Sequence, residues 1–327
     1  MRVGVIGPIG MDRFAENVSD ALGRMGLTSV PLGPAWPATP GRLVGRAAGM
    51  IRQARPRLDE RAQSRIVRVA ADEGCDVVIS LDARLMPGVV AQLKRGGARV
   101  AFWFPDHLAN MGRALMLLAP YDALFFKEPH LVRRLRAMLD LPVYYLPEAC
   151  NPRWHRPLGS AGTKQHLVIA GNMYPSRIRL LERLAGKGIP VKVYGTGVPR
   201  WAGDGPVRSM QVQRPIFGEE KARIFRAAAG VLNNLHPAEV DGVNARLFEA
   251  AGSGAAILTE FRPVLSDLFD IGDEVLAFRD FDELVDQATR LFSEPGLTAR
   301  LGDAASRRAH RDHTYDRRVA DILEKLS

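Results

Sequence analysis

Residues 236–254 read HPAEVDGVNARLFEAAGSG, the densest run of reactive side chains in the chain. Val243, Leu247, Ala250 and Ala251 recur at helical spacing, so a short helix is expected, beginning at Asp241 or Gly242. Asn244, Arg246 and Glu249 are the polar exceptions. Glu249 stands between Phe248 and Ala250, and a carboxylate buried there needs partners. Arg246, three residues earlier, is one turn away and can pair with it. A vicinal diol is the other solution, because one carboxylate accepts hydrogen bonds from both hydroxyls of a ribose. Asp241 reads as a helix cap or, in a site, as a group facing the ligand. His236 precedes the run, and Gly252-Ser253-Gly254 after it can bring backbone close to a ligand.

Two glycine turns fit the same chemistry. Gly171-Asn172-Met173-Tyr174-Pro175-Ser176-Arg177 follows an apolar run and opens a helical one. Free N–H groups at a helix start receive phosphate oxygens, and Arg177 and Arg179 would add charge. The competing reading is a solvated helix face carrying two arginines. Gly195, in Val193-Tyr-Gly-Thr-Gly197, again allows close approach. Residues 151–200 carry nine basic residues and one acidic, whereas residues 251–300 carry four basic and ten acidic. The chain is therefore suited to an anion locally, and phosphate fits better than nucleic acid. No zinc spacing, RNA-recognition motif or recognition-helix pattern is present.

Other segments are weighed against bland alternatives. Asp106 and His107, after Trp103-Phe104-Pro105, could supply a general base for a hydroxyl group, or a helix cap. Gly4-Val-Ile-Gly7-Pro-Ile-Gly10 has the wrong spacing for a dinucleotide loop, and no acid follows the next strand-like segment. Asp280-Phe-Asp282 with Glu283 reads as a capping box rather than a metal site. Residues 42–68 hold eight arginines and two acids, with Leu43, Val44, Ala47, Ala48 and Ile51 at helical spacing. A solvated helix pair broken at Pro56 is the favoured reading; peripheral contact with an anionic membrane or a phosphorylated acceptor is the alternative.

Short β-branched runs must position these groups. They fall at 2–6, 76–81, 99–104, 123–126 and 143–146, then at 166–170, 191–194, 231–235, 255–259 and 275–278. Helical patterns separate them, at 59–72, 129–139, 175–187 and 281–292 among others. This alternation predicts an α/β protein with doubly wound parallel sheets. A chain of 327 residues with about ten strands favours two such sheets. The Pro- and Gly-rich stretch 147–165 is the expected linker, dividing domain 1–155 from domain 156–313. Two facing sheets would leave a cleft between domains. Composition is ordinary for a globular protein, 46% hydrophobic and 25% charged, with a net charge of +9. Cys75 and Cys150 are expected as free thiols. No apolar run is long enough to span a membrane, and the start of the chain lacks a signal-peptide pattern, so a cytoplasmic location is expected.

Asp241 and Glu249, eight apart, resemble the E-x(7)-E motif of retaining GT-B glycosyltransferases, with Asp in the first position. The string DGVNARLFEAAGSGAAILTE is similar to the C-terminal domain of CgeB-like glycosyltransferases, as are LVIAGNMYPSRIRLLERL, VYGTG, PEACNPRWHRP, LFDIGDEVLAFRDFDELV and HTYDRRVADIL. The resemblance covers about residues 100–327. It implies a GT-B fold of two Rossmann-like domains, with residues 314–327 packing back on the first. It implies transfer of a sugar from a nucleoside-diphosphate sugar to a hydroxyl-bearing acceptor, without a cofactor or catalytic metal. Glu249 would hold the donor ribose and Asp241 would face the sugar. Asn172, Arg177, Asn244 and Arg246 would lie near the diphosphate or sugar, with Gly171, Gly195 and His236 beside them. Natural-product, glycan, lipid-linked and protein acceptors all fit. A sugar-nucleotide epimerase of the same fold and a non-catalytic nucleotide-sugar binding protein are the alternatives.

Overall fold

A computed structural model describes residues 1–37, 41–199, 201, 205–294 and 296–327. The chain forms two compact units, Met1–Leu146 with Tyr315–Ser327, and Pro147–Thr314. The first unit is built on strands β1 (Arg2–Ile6), β2 (Thr28–Pro31), β3 (Val77–Ser80), β4 (Arg99–Phe104), β5 (Ala123–Phe126) and β6 (Val143–Tyr145). They form one parallel sheet in the order β2-β1-β3-β4-β5-β6. Helices α1 (Phe14–Arg24), α2 (Arg42–Ala54), α3 (Pro56–Asp72), α4 (Pro87–Arg95) and α5 (Pro129–Leu139) connect them. Every residue of β3 and β5 is buried, as expected where helices cover both faces of a sheet. Pro56, Pro87 and Pro129 each open a helix, where the missing N–H costs nothing. Pro56 thus separates two helices instead of kinking one.

The second unit holds β7 (Lys164–Ala170), α6 (Pro175–Gly186), β8 (Val191–Tyr194), α7 (Val207–Met210), α8 (Gly218–Ala227) and β9 (Ala228–Asn233). It continues through α9 (Ala245–Gly252), β10 (Ile257–Glu260), α10 (Leu265–Leu268), β11 (Leu276–Phe278), α11 (Phe281–Ser293) and α12 (Leu297–Asp312). Its parallel sheet runs β11-β10-β9-β7-β8. Asp280 caps α11, its Oδ1 accepting from the N–H groups of Asp282 at 3.0 Å and Glu283 at 2.9 Å, and Glu283 reaches back to the N–H of Arg279 at 2.7 Å.

The last helix, α13 (Tyr315–Leu326), belongs to the first unit. Tyr315 packs against Phe14 and Trp103, with ring centroids 5.8 and 6.0 Å away. Asp316 accepts two hydrogen bonds from Arg24, at 2.8 and 2.7 Å.

The first part of the stretch expected as a linker, residues 147–155, is instead largely buried in the second unit, while most of residues 156–165 are exposed. Glu148, Cys150, Asn151 and His155 are buried. The Cys150 N–H donates to the His313 carbonyl at 2.9 Å, and the Asn151 N–H donates to His155 Nδ1 at 3.0 Å. Local irregularity marked it as a loop, but its backbone is satisfied by the unit it enters. Both cysteines are free thiols. Among the described residues, no helix is long and apolar enough to cross a membrane.

Candidate functional site

In the second sheet β7 lies between β8 and β9, so the strand order reverses there. Ligands of such sheets bind beyond the carboxyl ends of the strands at that point. Arg177, in the first turn of α6, folds back across it. Its Nε donates to Asn234 Oδ1 at 2.8 Å and its Nη1 to the Asn172 carbonyl at 2.7 Å. Its Nη2 donates to the Tyr174 hydroxyl at 2.9 Å and the Asn234 carbonyl at 3.1 Å. The guanidinium also stacks over the Tyr174 ring, 4.4 Å from the centroid. Arg177 is only 6% exposed, and burial lowers its pKa from the ordinary arginine value. Burial likewise raises the pKa of Tyr174. Arg177 and Arg179, read together on a phosphate, have different surroundings. Arg177 ties the ends of β7 and β9 together, whereas Arg179 is exposed and pairs with Glu182 at 2.8 Å.

Glu249 on α9 is buried between two cations. Its Oε1 lies 2.9 Å from Lys221 Nζ on α8, and its Oε2 accepts from Arg246. Arg246 Nε also donates to the carbonyl of Ala170, the last residue of β7, at 3.0 Å. One carboxylate therefore joins α8, α9 and, through Arg246, the end of β7.

α9 begins at Ala245 rather than at Asp241 or Gly242. The reason is remote: Glu148 accepts from the Ala245 N–H at 2.8 Å and occupies the capping position. Asn244 has the extended backbone of an N-cap, but its side chain does not cap. Its buried Oδ1 has no hydrogen-bond partner among the described residues. Asp241 is half-buried in the loop between β9 and α9. His236 Nδ1 accepts from the Ala238 N–H at 3.1 Å, and its ring meets Tyr174 edge-on, centroids 4.9 Å apart.

The glycines serve packing. A Cβ on Gly195 would stand 2.2 Å from the Gly171 carbonyl oxygen, and Gly195 has φ +150°. The two turns thus touch backbone to backbone. Gly252 and Gly254, expected to approach a ligand, face the unit's own interior. Added Cβ atoms would meet Cys150 Cβ at 2.8 Å and Arg226 Nη1 at 2.3 Å. Beside Asn234 lies a pocket of about 320 Å³ lined by Ser176, Arg183, Leu235, Glu260 and Phe281, among others.

In the first unit, Asp106 and His107 follow β4. Asp106 Oδ1 accepts from the His107 N–H at 2.8 Å, and its Oδ2 accepts from Asn110 Nδ2 at 2.6 Å. His107 Nε2 lies 3.7 Å from Asp106 Oδ1. The pair is braced locally, with the Asp106 side chain 47% exposed.

Sequence reasoning missed Lys221, Tyr174, Asn234 and Glu148. Lys221 carried a usable signal. Gly218, Lys221, Ala222 and Phe225 are the buried positions of α8, and a lysine at a position on an apolar helical face must find a counter-charge. The partners of Asn234 and Glu148 lie far along the chain and leave no local trace.

A search of curated protein sequences finds no match. Among solved structures, sucrose-phosphate synthase from Thermosynechococcus elongatus superposes with a TM-score of 0.69 at 13% identity, over 99% of this chain and 98% of that one. A glycosyltransferase of avilamycin A biosynthesis gives 0.64 at 17% identity, over 100% and 97%. A glycosyltransferase from Rickettsia africae gives 0.64 at 10% identity, over 99% and 96%. These neighbours are GT-B glycosyltransferases, and the α/β fold of two Rossmann-like parallel-sheet domains is shared with them. Residues 177–324, which hold Arg177, Lys221, Asp241, Arg246 and Glu249, match the family model described as glycosyl transferase-like.

Proposed function

We propose that this protein transfers a sugar from a nucleoside-diphosphate sugar to a hydroxyl-bearing acceptor, with the donor held by the second unit. The observation that carries this reading is Glu249 buried between Lys221 and Arg246, with Arg246 also reaching the end of β7 where the strand order reverses. Two basic side chains held at that place suit a diphosphate, and the exposed start of α6 adds backbone N–H groups. In this reading Glu249 exchanges part of its contact with Arg246 for the ribose hydroxyls, and the released guanidinium turns to the diphosphate. The charge that develops on the departing nucleoside diphosphate is then stabilised by fixed cations, with no metal required. Asp241 and the Asn244 Oδ1 face the sugar. Asp106 or His107 takes the proton of the acceptor hydroxyl if the reaction inverts the sugar. The motif string from Asp241 to Glu260 supports the finer CgeB-like assignment.

The test is thermal unfolding of the purified protein with UDP, GDP, dTDP, CDP, ADP and NAD, each with and without EDTA. A ligand at about 100 times its dissociation constant adds roughly 2.7 kcal/mol of stability. Stabilisation by one nucleoside diphosphate, unaffected by EDTA, is the expected result. A shift with NAD alone, or with none of them, sinks the donor-site reading. A shift followed by interconversion of the donor without an acceptor would identify an epimerase instead.

A further inference from the structure

Helix α2 is attached to its unit by its small side. Among its described side chains, Gly45, Ala48, Gly49 and Arg52 are the half-buried positions. A Cβ on Gly49 would lie 3.5 Å from the Trp36 ring, and Arg52 stacks over that ring at 5.3 Å. The large aliphatic side chains point the other way. Leu43 is 81% exposed, Val44 57%, Met50 65% and Ile51 58%. At 3.6 residues per turn they share an arc of about 120° with Ala47 and Ala54, which are exposed as well. A surface helix normally buries such a stripe and leaves its small or polar face in water. Here the stripe continues to Leu58 at the start of α3, which is also exposed.

The charge around the stripe has one sign. Residues 41–58 contain five arginines and no acidic residue, and Arg46, Arg55 and Arg57 are exposed beside the aliphatic face. A second copy of this face would bring Arg46, Arg55 and Arg57 against the same three arginines. An anionic lipid surface complements both features, with headgroups that attract arginine and a hydrocarbon boundary that takes up leucine, methionine and isoleucine. We infer that α2 is a membrane-docking helix that lies in the headgroup layer of an anionic bilayer, with Leu43, Val44, Met50 and Ile51 inserted and the arginines among the phosphates. The inference is independent of the reading of the second unit, because it involves no residue there.

The test is co-sedimentation of the full purified chain with vesicles of phosphatidylcholine, alone or mixed with phosphatidylglycerol. Binding to the mixed vesicles and release by high salt are expected. Leu43→Ser with Met50→Ser should weaken that binding by at least about tenfold. Arg46→Ala should weaken it about fivefold, the share of one arginine near an anionic surface. All three side chains are exposed, so the melting temperature should stay at the wild-type value. The inference is overturned if wild-type protein stays in the supernatant with both vesicles, or if the double serine variant binds as well as wild type. It is equally overturned if light scattering shows a dimer that the serine changes dissociate while vesicle binding is absent.

Discussion

The buried pairing of Glu249 with Lys221 makes a quantitative demand on stability. The side chains are 9% and 4% exposed and approach to 2.9 Å, so neither charge is well hydrated. Glu249→Gln keeps the shape and removes the negative charge that both Lys221 and Arg246 face. Removing one partner of a buried pair costs about 3–5 kcal/mol. The lower end applies here, because the Arg246 side chain is 25% exposed and can recover water. In a unit of this size 1 kcal/mol moves the melting temperature by about 2–4 °C, so a fall of about 6–12 °C is expected. Lys221→Met alone leaves Glu249 paired with Arg246 and should cost about 1–2 kcal/mol. The double variant has no buried charge left opposite an apolar neighbour, so it should be more stable than Glu249→Gln, with a coupling of about 2 kcal/mol. Melting followed by circular dichroism measures this. If Glu249→Gln melts within about 2 °C of wild type, or if the two substitutions simply add, the charge cluster is not the organiser described above.

Three further outcomes are expected. Gly195→Ala places a methyl group 2.2 Å from the Gly171 carbonyl at a φ of +150°, so it should destabilise the protein by about 2–3 kcal/mol, read as a lowered melting temperature. Asp241→Asn should lower the turnover of a donor sugar by about tenfold or more while leaving nucleoside-diphosphate affinity nearly unchanged; equal losses of both would move Asp241 into binding or folding. His166 in β7 has its pKa lowered, chiefly by burial and then by Lys192 and Lys164, from an ordinary value of 6.5. Its contribution to stability is complete above that value and is lost as pH falls through the lowered one, so His166→Gln should flatten the decline in melting temperature on the acid side.

The α/β class and most strands were legible because parallel strands covered on both faces are continuous apolar runs. β2 gave a weak signal for the same reason, since Val30 is its one buried residue. The helix carrying Glu249 was legible from its period, but its start was not, because the capping carboxylate comes from Glu148. The Arg246–Glu249 pair could be read from its three-residue spacing. The Lys221–Glu249 pair joins two helices, and its signal was only a lysine at an apolar position. Periodicity showed that residues 43–51 form an amphipathic face. It could not show which side is turned inward, and in α2 the small residues rather than the large ones make the contact.

The return of α13 has a consequence for the order of assembly during synthesis. The first unit begins the chain, yet the Tyr315 ring beside Trp103 and Phe14 and the Asp316 carboxylate on Arg24 come after all of the second unit. Residues 147–314 can close their core while the sheet begun at Arg2 still lacks a covering helix. The half started first is finished last, and until then the Trp103 side of its sheet must be kept from other exposed apolar surfaces.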